Sequence, residues 1–292
     1  MEAALRMPEQ HPDKVQTYPE DDEFYYGHRP VFEYDENGRE LYYYIPLTPD
    51  DFLDPEEGDF FMQGTLHEDT VDDLKSIFRY HFRNRKDIKI YSDLKIIWDA
   101  GGKENPAPDV SIFQNVRNPE KHRRVFSVAE EGVSPFFILE VVSPRYRQED
   151  VLRKPSIYRR AGVEEYIIVD SGQKRNDSSE VSWTVQGYRL KGKKYDPIAP
   201  DRQRRIYSRT ADLWIGPSES GDRIIIYDGQ TGKEIPPDHE MARQEKMRAE
   251  QEKIRADQEK MRAEREKIRA DSAEQELRAL REKLMALGIS AE

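Results

Sequence analysis

The chain has 292 residues, a net charge of −11 and equal shares, 36% each, of hydrophobic and charged residues, so a substantial part of it lies outside any core. The absence of cysteine excludes a disulfide framework, thiolate metal sites and a cysteine nucleophile, and fits a reducing compartment. No apolar run approaches the roughly 20 residues that span a bilayer, and the first residues lack the apolar stretch of a signal peptide; the expectation is a soluble, cytoplasmic protein without a membrane partner.

The negative charge is unevenly spread. Residues 1–60 carry 17 acidic against 4 basic residues, whereas residues 241–288 carry 11 against 13, which leaves the middle of the chain close to neutral. Local clusters there, such as Lys121-His122-Arg123-Arg124, can still meet a phosphate backbone.

In chain order, residues 1–27 are polar and acidic and read as a flexible leader. Val31 to Tyr44 alternates around Asn37-Gly38, a hairpin signal, so residues 1–45 are expected to form leader plus hairpin. Thr48-Pro49 has the N-cap and N1-proline signature of a short helix. Val71, Leu74, Ile77, Phe78 and Phe82 recur at helical spacing between Leu66 and Arg83. Strands are predicted at Ile88–Tyr91, Leu94–Trp98, Val110–Phe113 and Phe136–Val142. A helix at Pro155–Ala161 stops at Gly162, and further strands follow at Glu165–Asp170, Val181–Leu190 and Arg223–Tyr227. This order predicts a mixed α/β or α+β domain over residues 46–236.

The tail, residues 241–288, repeats Gln-Glu-Lys-Met/Ile-Arg-Ala-Glu/Asp almost unchanged, with Met247, Ile254, Met261 and Ile268 at a strict period of seven. That period predicts one long helix and a left-handed coiled coil. The seam is thin, since only Leu277, Leu280, Leu284 and Leu287 give three-four spacing, in a different phase. A solvated single helix held by Glu–Lys pairs is the alternative to a dimer.

Chemistry concentrates between residues 108 and 154. Asp109 opens an apolar run and Glu140 interrupts another, Phe136-Phe137-Ile138-Leu139-Glu140-Val141-Val142. A carboxylate inside a buried strand is costly unless its charge is compensated. Two such strands side by side bring like charges together, which a cation between them relieves, and carboxylate oxygens suit a hard cation such as Mg²⁺. With Lys154 at a helix start nearby, the set fits metal-assisted phosphodiester hydrolysis.

Several motifs occur in order: Leu47-Thr48-Pro49-Asp50-Asp51-Phe52-Leu53, the isolated His67, Pro108-Asp109-Val110-Ser111, Leu139-Glu140-Val141-Val142-Ser143-Pro144, Asp150-x3-Lys154-x3-Tyr158, and Ala161-Gly162-Val163-Glu164-Glu165-Tyr166-Ile167-Ile168-Val169-Asp170. Over residues 46–236 they resemble the Uma-type restriction endonuclease family of the PD-(D/E)XK nuclease superfamily. The resemblance implies a restriction-endonuclease-like mixed central sheet flanked by helices. It also implies Asp109 and Glu140 as metal ligands, with the backbone carbonyl of Val142 as a further donor. Lys154 is the catalytic lysine it implies, because the family pattern has its lysine on the following helix, whereas the superfamily's usual lysine position is Val142 here. DNA is the implied substrate, Mg²⁺ (or Mn²⁺ in its place) the cofactor and a 5′-phosphate end the product.

Each residue also has a plainer reading. Asp109 can cap a turn after Pro108, and Glu140 can be a salt-bridge partner of Lys154. Pro155 either opens the helix, with Lys154 on its first turn, or kinks it. His67 is an auxiliary site residue or an ordinary helix-start histidine; Asp150 is an auxiliary substrate contact or a surface N-cap. Ser143 has no histidine beside it in sequence and reads as a turn residue. The six histidines show no zinc spacing, and there is neither a P-loop nor a dinucleotide fingerprint. Two functions therefore stand at this point: a Mg²⁺-dependent DNA endonuclease, or a nuclease-fold interaction protein of weak or lost activity that assembles through its tail.

Overall fold

A computed structural model describes residues 8–14, 26–98, 102–173 and 181–286. The chain divides into two compact units, residues 1–237 and 238–292. The expected leader lies largely outside the described residues, but Glu9–Gln10 (β1) is a short strand paired in parallel with the second arm of the hairpin. That hairpin, His28–Tyr34 (β2) and Glu40–Pro46 (β3), turns at Asn37-Gly38, where Gly38 takes φ 74°. Gly27 precedes it at φ 119°, and a Cβ there would overlap the carbonyl oxygen of Phe60, so only glycine lets these segments meet.

Pro49–Leu53 (α1) begins with the expected cap: the Thr48 side chain accepts from Asp51 N–H, and the Asp51 carboxylate accepts from Thr48 N–H at 2.8 Å. Thr65–His81 (α2) buries Val71, Leu74, Ile77 and Phe78 on one stripe. At about 1.5–3 kcal/mol for each fully buried large apolar side chain, that stripe holds the helix on the sheet. Ile88–Tyr91 (β4), Lys95–Ile97 (β5), Val110–Gln114 (β6), Val125–Ser127 (β7), the single turn Val128–Glu131 (α3) and Phe137–Val142 (β8) follow. A π-helical turn, Glu149–Arg153, runs into Lys154–Ala161 (α4), which ends at Gly162 in the left-handed region. The rest of the first unit is Glu165–Asp170 (β9), Thr184–Lys191 (β10), Lys194–Pro197 (β11), Ile206–Ser208 (β12), Leu213–Pro217 (β13) and Ile224–Asp228 (β14).

Six strands make the central sheet, in the order β11-β10-β9-β8-β6-β4. Only β8 and β9 are parallel; the other pairs are antiparallel. A parallel pair needs a crossover, and α4 supplies it. One face of the sheet packs Val110, Ile112, Leu139, Val141 and Ile167 against α2 and the small sheet β12-β13-β14. The other packs Phe113, Ile138, Val142 and Ile168 against α1, α4 and the β5-β7 pair. Because β8 and β9 are covered on both faces, every residue in them is buried, which explains why they are apolar without alternation apart from Glu140 in β8 and the acids at the two ends of β9. The architecture is the α+β arrangement of mixed sheet and flanking helices expected from the sequence.

Sequence reading did not separate β7, α3, β11, β12 and β13. All are short, and what holds β12 lies far along the chain. Glu165, fully buried at the start of β9, accepts from Ser208 Oγ at 2.5 Å, Arg209 N at 3.1 Å, Thr210 N at 3.2 Å and Arg189 Nε at 2.7 Å. This one carboxylate pins the small sheet to the large one.

The second unit consists of Asp238–Ala286 (α5), one helix of 49 residues as the repeat predicts, about 74 Å long at 1.5 Å per residue. Among the described residues, no helix is long and apolar enough to cross a membrane.

Candidate functional site

The site is built at the end of the central sheet where β6 begins and β8 ends. The antiparallel register Val110↔Leu139 places Asp109 beside Glu140 as the next pair outward. Side chains alternate along strands, so Asp109 falls on the face of Phe113, and Glu140 on that of Ile138 and Val142. These are the same face. The contact is direct: Asp109 N–H donates to Glu140 Oε2 at 3.3 Å, and Asp109 Oδ2 accepts from Val141 N–H at 2.7 Å.

The π-helical turn brings in Lys154. Pro155 carries no N–H, and its ring would clash with the carbonyl four residues back, so the helix widens by one residue just ahead of it. The two sequence options, a helix starting at Pro155 and a kinked one, are thus reconciled: helical backbone runs from Glu149, and Lys154 is the first residue of α4. Its ammonium lies 3.1 Å from Glu140 Oε1 and 2.7 Å from Asp150 Oδ1, and 4.5 Å from the ring centre of Phe52. Tyr158, one turn on, donates to Glu140 Oε1 at 2.6 Å, and Tyr166 donates to the backbone carbonyl of Asp150 at 2.7 Å. Asp150 is a buried partner of the lysine, in place of the surface N-cap considered above.

His67 stands in the first turn of α2, and its Nε2 is 3.3 Å from Asp109 Oδ2, 42 residues away in sequence. Its Nδ1 is buried with no hydrogen-bond partner among the described residues. The structure therefore gathers Asp109, Glu140, Lys154, His67 and Asp150 into one cluster. Val142 differs. In a strand the N–H and C=O of one residue point the same way, and Val141 turns its amide to Asp109. Its carbonyl shares that side, while Val142 is paired in register with Asp170 of β9. Strand geometry thus favours Val141 over Val142 as a backbone donor beside Asp109.

Burial and charge set the protonation states. Burial pushes the Glu140 carboxyl well above its usual range, although Lys154 opposes it. The same effect lifts Asp150 to about 6 against the pull of Lys154. Asp109 is equally buried, yet His67, Lys154 and the Val141 amide more than offset the desolvation and hold it below the ordinary value. Burial disfavours charged His67, but the Asp109 carboxylate outweighs it and raises the imidazole to about 9. Desolvation is outweighed likewise at Lys154, whose ammonium is held charged by Asp150 and Glu140.

Sequence reading missed Asp93. It sits in the turn before β5 at φ 52°, in the left-handed region, and burial followed by the nearness of Asp109 raises it to about 6. A lone Asp in a Ser-Asp turn carries no motif, and only the fold puts it beside Asp109. Both open on a cleft of about 680 Å³ that Lys154, Phe52, Lys95, Arg123 and Arg124 also line.

Four carboxylates here face two cations, Lys154 and His67, so the cluster carries an excess of negative charge. Among the described residues, no three His, Cys, Asp or Glu side chains form a ready cage for a metal. The donor set still fits Mg²⁺. That ion keeps several waters and is held by one or two carboxylates plus substrate phosphates, and Asp109 Oδ1 accepts no hydrogen bond among the described residues.

No curated protein matches the chain. Among solved structures, it is similar to a chain from Anabaena variabilis ATCC 29413 described as a putative nuclease belonging to DUF820, with 17% identity, 57% of this chain and 91% of that one covered, and a TM-score of 0.40. The family described as Uma2, putative restriction endonuclease, matches residues 49–214, more than half of the sequence, from the start of α1 to the first residues of β13. On that match the chain belongs to the Uma2 family of putative restriction endonucleases.

Proposed function

We propose that the protein is a Mg²⁺-dependent DNA endonuclease whose catalytic centre is Asp109, Glu140 and Lys154. One observation carries this reading: two buried carboxylates from neighbouring strands lie side by side, a buried lysine is 3.1 Å from one of them, and Asp109 and Lys154 line a cleft. Mg²⁺, or Mn²⁺ in its place, would be held by Asp109 and Glu140 with the Val141 carbonyl, and would supply a Lewis acid and an activated water. Val141 N–H fixes the rotamer of Asp109, and Tyr158 together with Lys154 fixes that of Glu140. Lys154, its ammonium held charged by Asp150 and Glu140, orients the attacking water or stabilises charge developing on the phosphate. His67, protonated and beside Asp109, adds positive charge at the same edge. Asp150 is a second carboxylate on the Lys154 ammonium, at 2.7 Å.

The interaction-protein alternative retains one observation. Each basic residue lining the cleft is already ion-paired: Lys95 with Asp54, Arg123 with Glu131, Arg124 with Glu57 and Lys154 with Glu140 and Asp150. A DNA strand would have to displace the rim pairs. Supercoiled plasmid incubated with Mg²⁺, Mn²⁺ or EDTA decides between the two. The endonuclease reading expects nicked or linear product only with the divalent ion and none from Glu140→Gln. Equal cleavage by both proteins, or none by the wild type with either metal, refutes it. The tail, in this proposal, joins copies of the chain, so that two sites can serve two strands.

A further inference from the structure

Along α5, Met247, Ile254, Met261 and Ile268 are 54%, 49%, 55% and 64% exposed, an apolar stripe that nothing in the described chain covers. The stripe recurs every seven residues through four heptads, so the repeat can be written as a coiled-coil frame with these residues at position d. Position a is then Gln251, Gln258 and Arg265; position e is Arg248, Arg255, Arg262 and Arg269; position g is Glu250, Asp257, Glu264 and Asp271. Every residue at e is an arginine and every residue at g an acid. Alanine fills the outward position f at 249, 256, 263 and 270.

This separation of charge has a directional consequence. In a parallel pair in register, each g residue faces the e residue of the next heptad on the other helix. Glu250 then meets Arg255 of the second copy, Asp257 meets Arg262 and Glu264 meets Arg269. In an antiparallel pair g faces g and e faces e, which sets acid against acid and arginine against arginine. Such juxtapositions discriminate orientation even where they add little affinity. The polar residues at a weaken the seam and leave the flanking charges to choose the partner's direction. Met and Ile at d supply the apolar contact, and the charged stems at e and g cover it.

We propose that α5 is a parallel, in-register self-association segment, whose occupant is α5 of a second copy of this chain. The inference deepens the self-association proposed above and is independent of the catalytic reading. It leads both copies into the helix from the same end, since Pro237 precedes α5 in each.

The absence of native cysteine makes the test clean. Full-length Met247→Cys and Ile268→Cys are mixed, oxidised and analysed by peptide mapping, with Ala256→Cys as the outward control; the mass of the unmodified protein is measured by light scattering. The expected result is twice 34.4 kDa, with 247–247 and 268–268 links and no link from position 256. A monomer mass overturns self-association itself. A doubled mass with 247–268 links overturns the parallel register while leaving self-association standing, and equal linking at 256 overturns the assigned seam. A second arm uses charge. Arg255→Glu with Arg262→Glu should lose the doubled mass, and mixing with Glu250→Arg, Asp257→Arg chains should restore it as a heterodimer. Retention of the doubled mass by the first variant alone overturns the role given to e and g.

Discussion

Lys154→Met isolates the buried charge cluster better than any other single change. The methionine keeps most of the stem that packs near Phe52 and removes only the ammonium. Glu140, with no exposed surface, and Asp150, 2% exposed, then lose the counter-charge now at 3.1 and 2.7 Å. Removing one partner of a buried ion pair costs about 3–5 kcal/mol. For a unit of this size 1 kcal/mol moves the midpoint by about 2–4 °C, so at pH 8 the variant should melt about 6–20 °C below the wild type. The deficit should shrink in acid. Buried carboxyls without the lysine take up protons at a pH where the unfolded chain, with pKa near 4, remains ionised. The folded state then binds more protons than the unfolded one, and stability rises as pH falls. Each such proton contributes about 1.36 kcal/mol per pH unit, roughly 2.7 kcal/mol between pH 8 and pH 6. Thermal denaturation of both proteins from pH 5 to pH 9 measures this, and added Mg²⁺ should stabilise the variant more than the wild type. A loss under about 1 kcal/mol at pH 8, or a loss independent of pH, would refute the argument that Lys154 neutralises the cluster.

Other expectations follow from the same geometry. Asp109→Asn and Glu140→Gln should each lower plasmid cleavage by on the order of 10²-fold or more while circular dichroism stays native; a folded variant with wild-type rates would remove that carboxylate from the catalytic set. The His67–Asp109 pair, with the imidazole raised to about 9, stabilises the fold fully below pH 6.5 and loses that contribution as pH rises through 9. The gap in melting temperature between wild type and His67→Gln should therefore narrow from pH 6 to pH 10, and a constant gap would assign His67 a packing role only. Glu165→Ala strands Ser208 Oγ, Arg189 and two amides, and should cost about 3–5 kcal/mol in urea titration. Deleting residues 241–292 should leave the midpoint of the first unit unchanged while altering the mass measured by sedimentation; a truncated chain that does not fold would overturn the boundary.

What the sequence determined by itself was whatever depends on local periodicity or unbroken apolarity. The stripe of α2, the runs of β8 and β9 and the heptads of α5 could be read directly, because burial on one or both faces forces those patterns. Two acids in apolar surroundings marked the site for the same reason, since a carboxylate in a buried strand needs a compensating partner. Only the tertiary structure decided who the partners are. His67 reaches Asp109 across 42 residues and Ser208 reaches Glu165 across 43, distances over which no residue pattern reports a contact. Asp93 joins the cluster through a left-handed turn, and Asp150 becomes an inner ligand of Lys154 because a π-helical turn ahead of Pro155 rotates both inward. The proposal of Val141 beside Val142 as the backbone donor rests on which way a strand turns its peptide groups, and that depends on the neighbouring strands. Hydrophobic pattern selects the elements, but the electrostatics of the site depend on long-range packing that brings distant charges within a few ångströms.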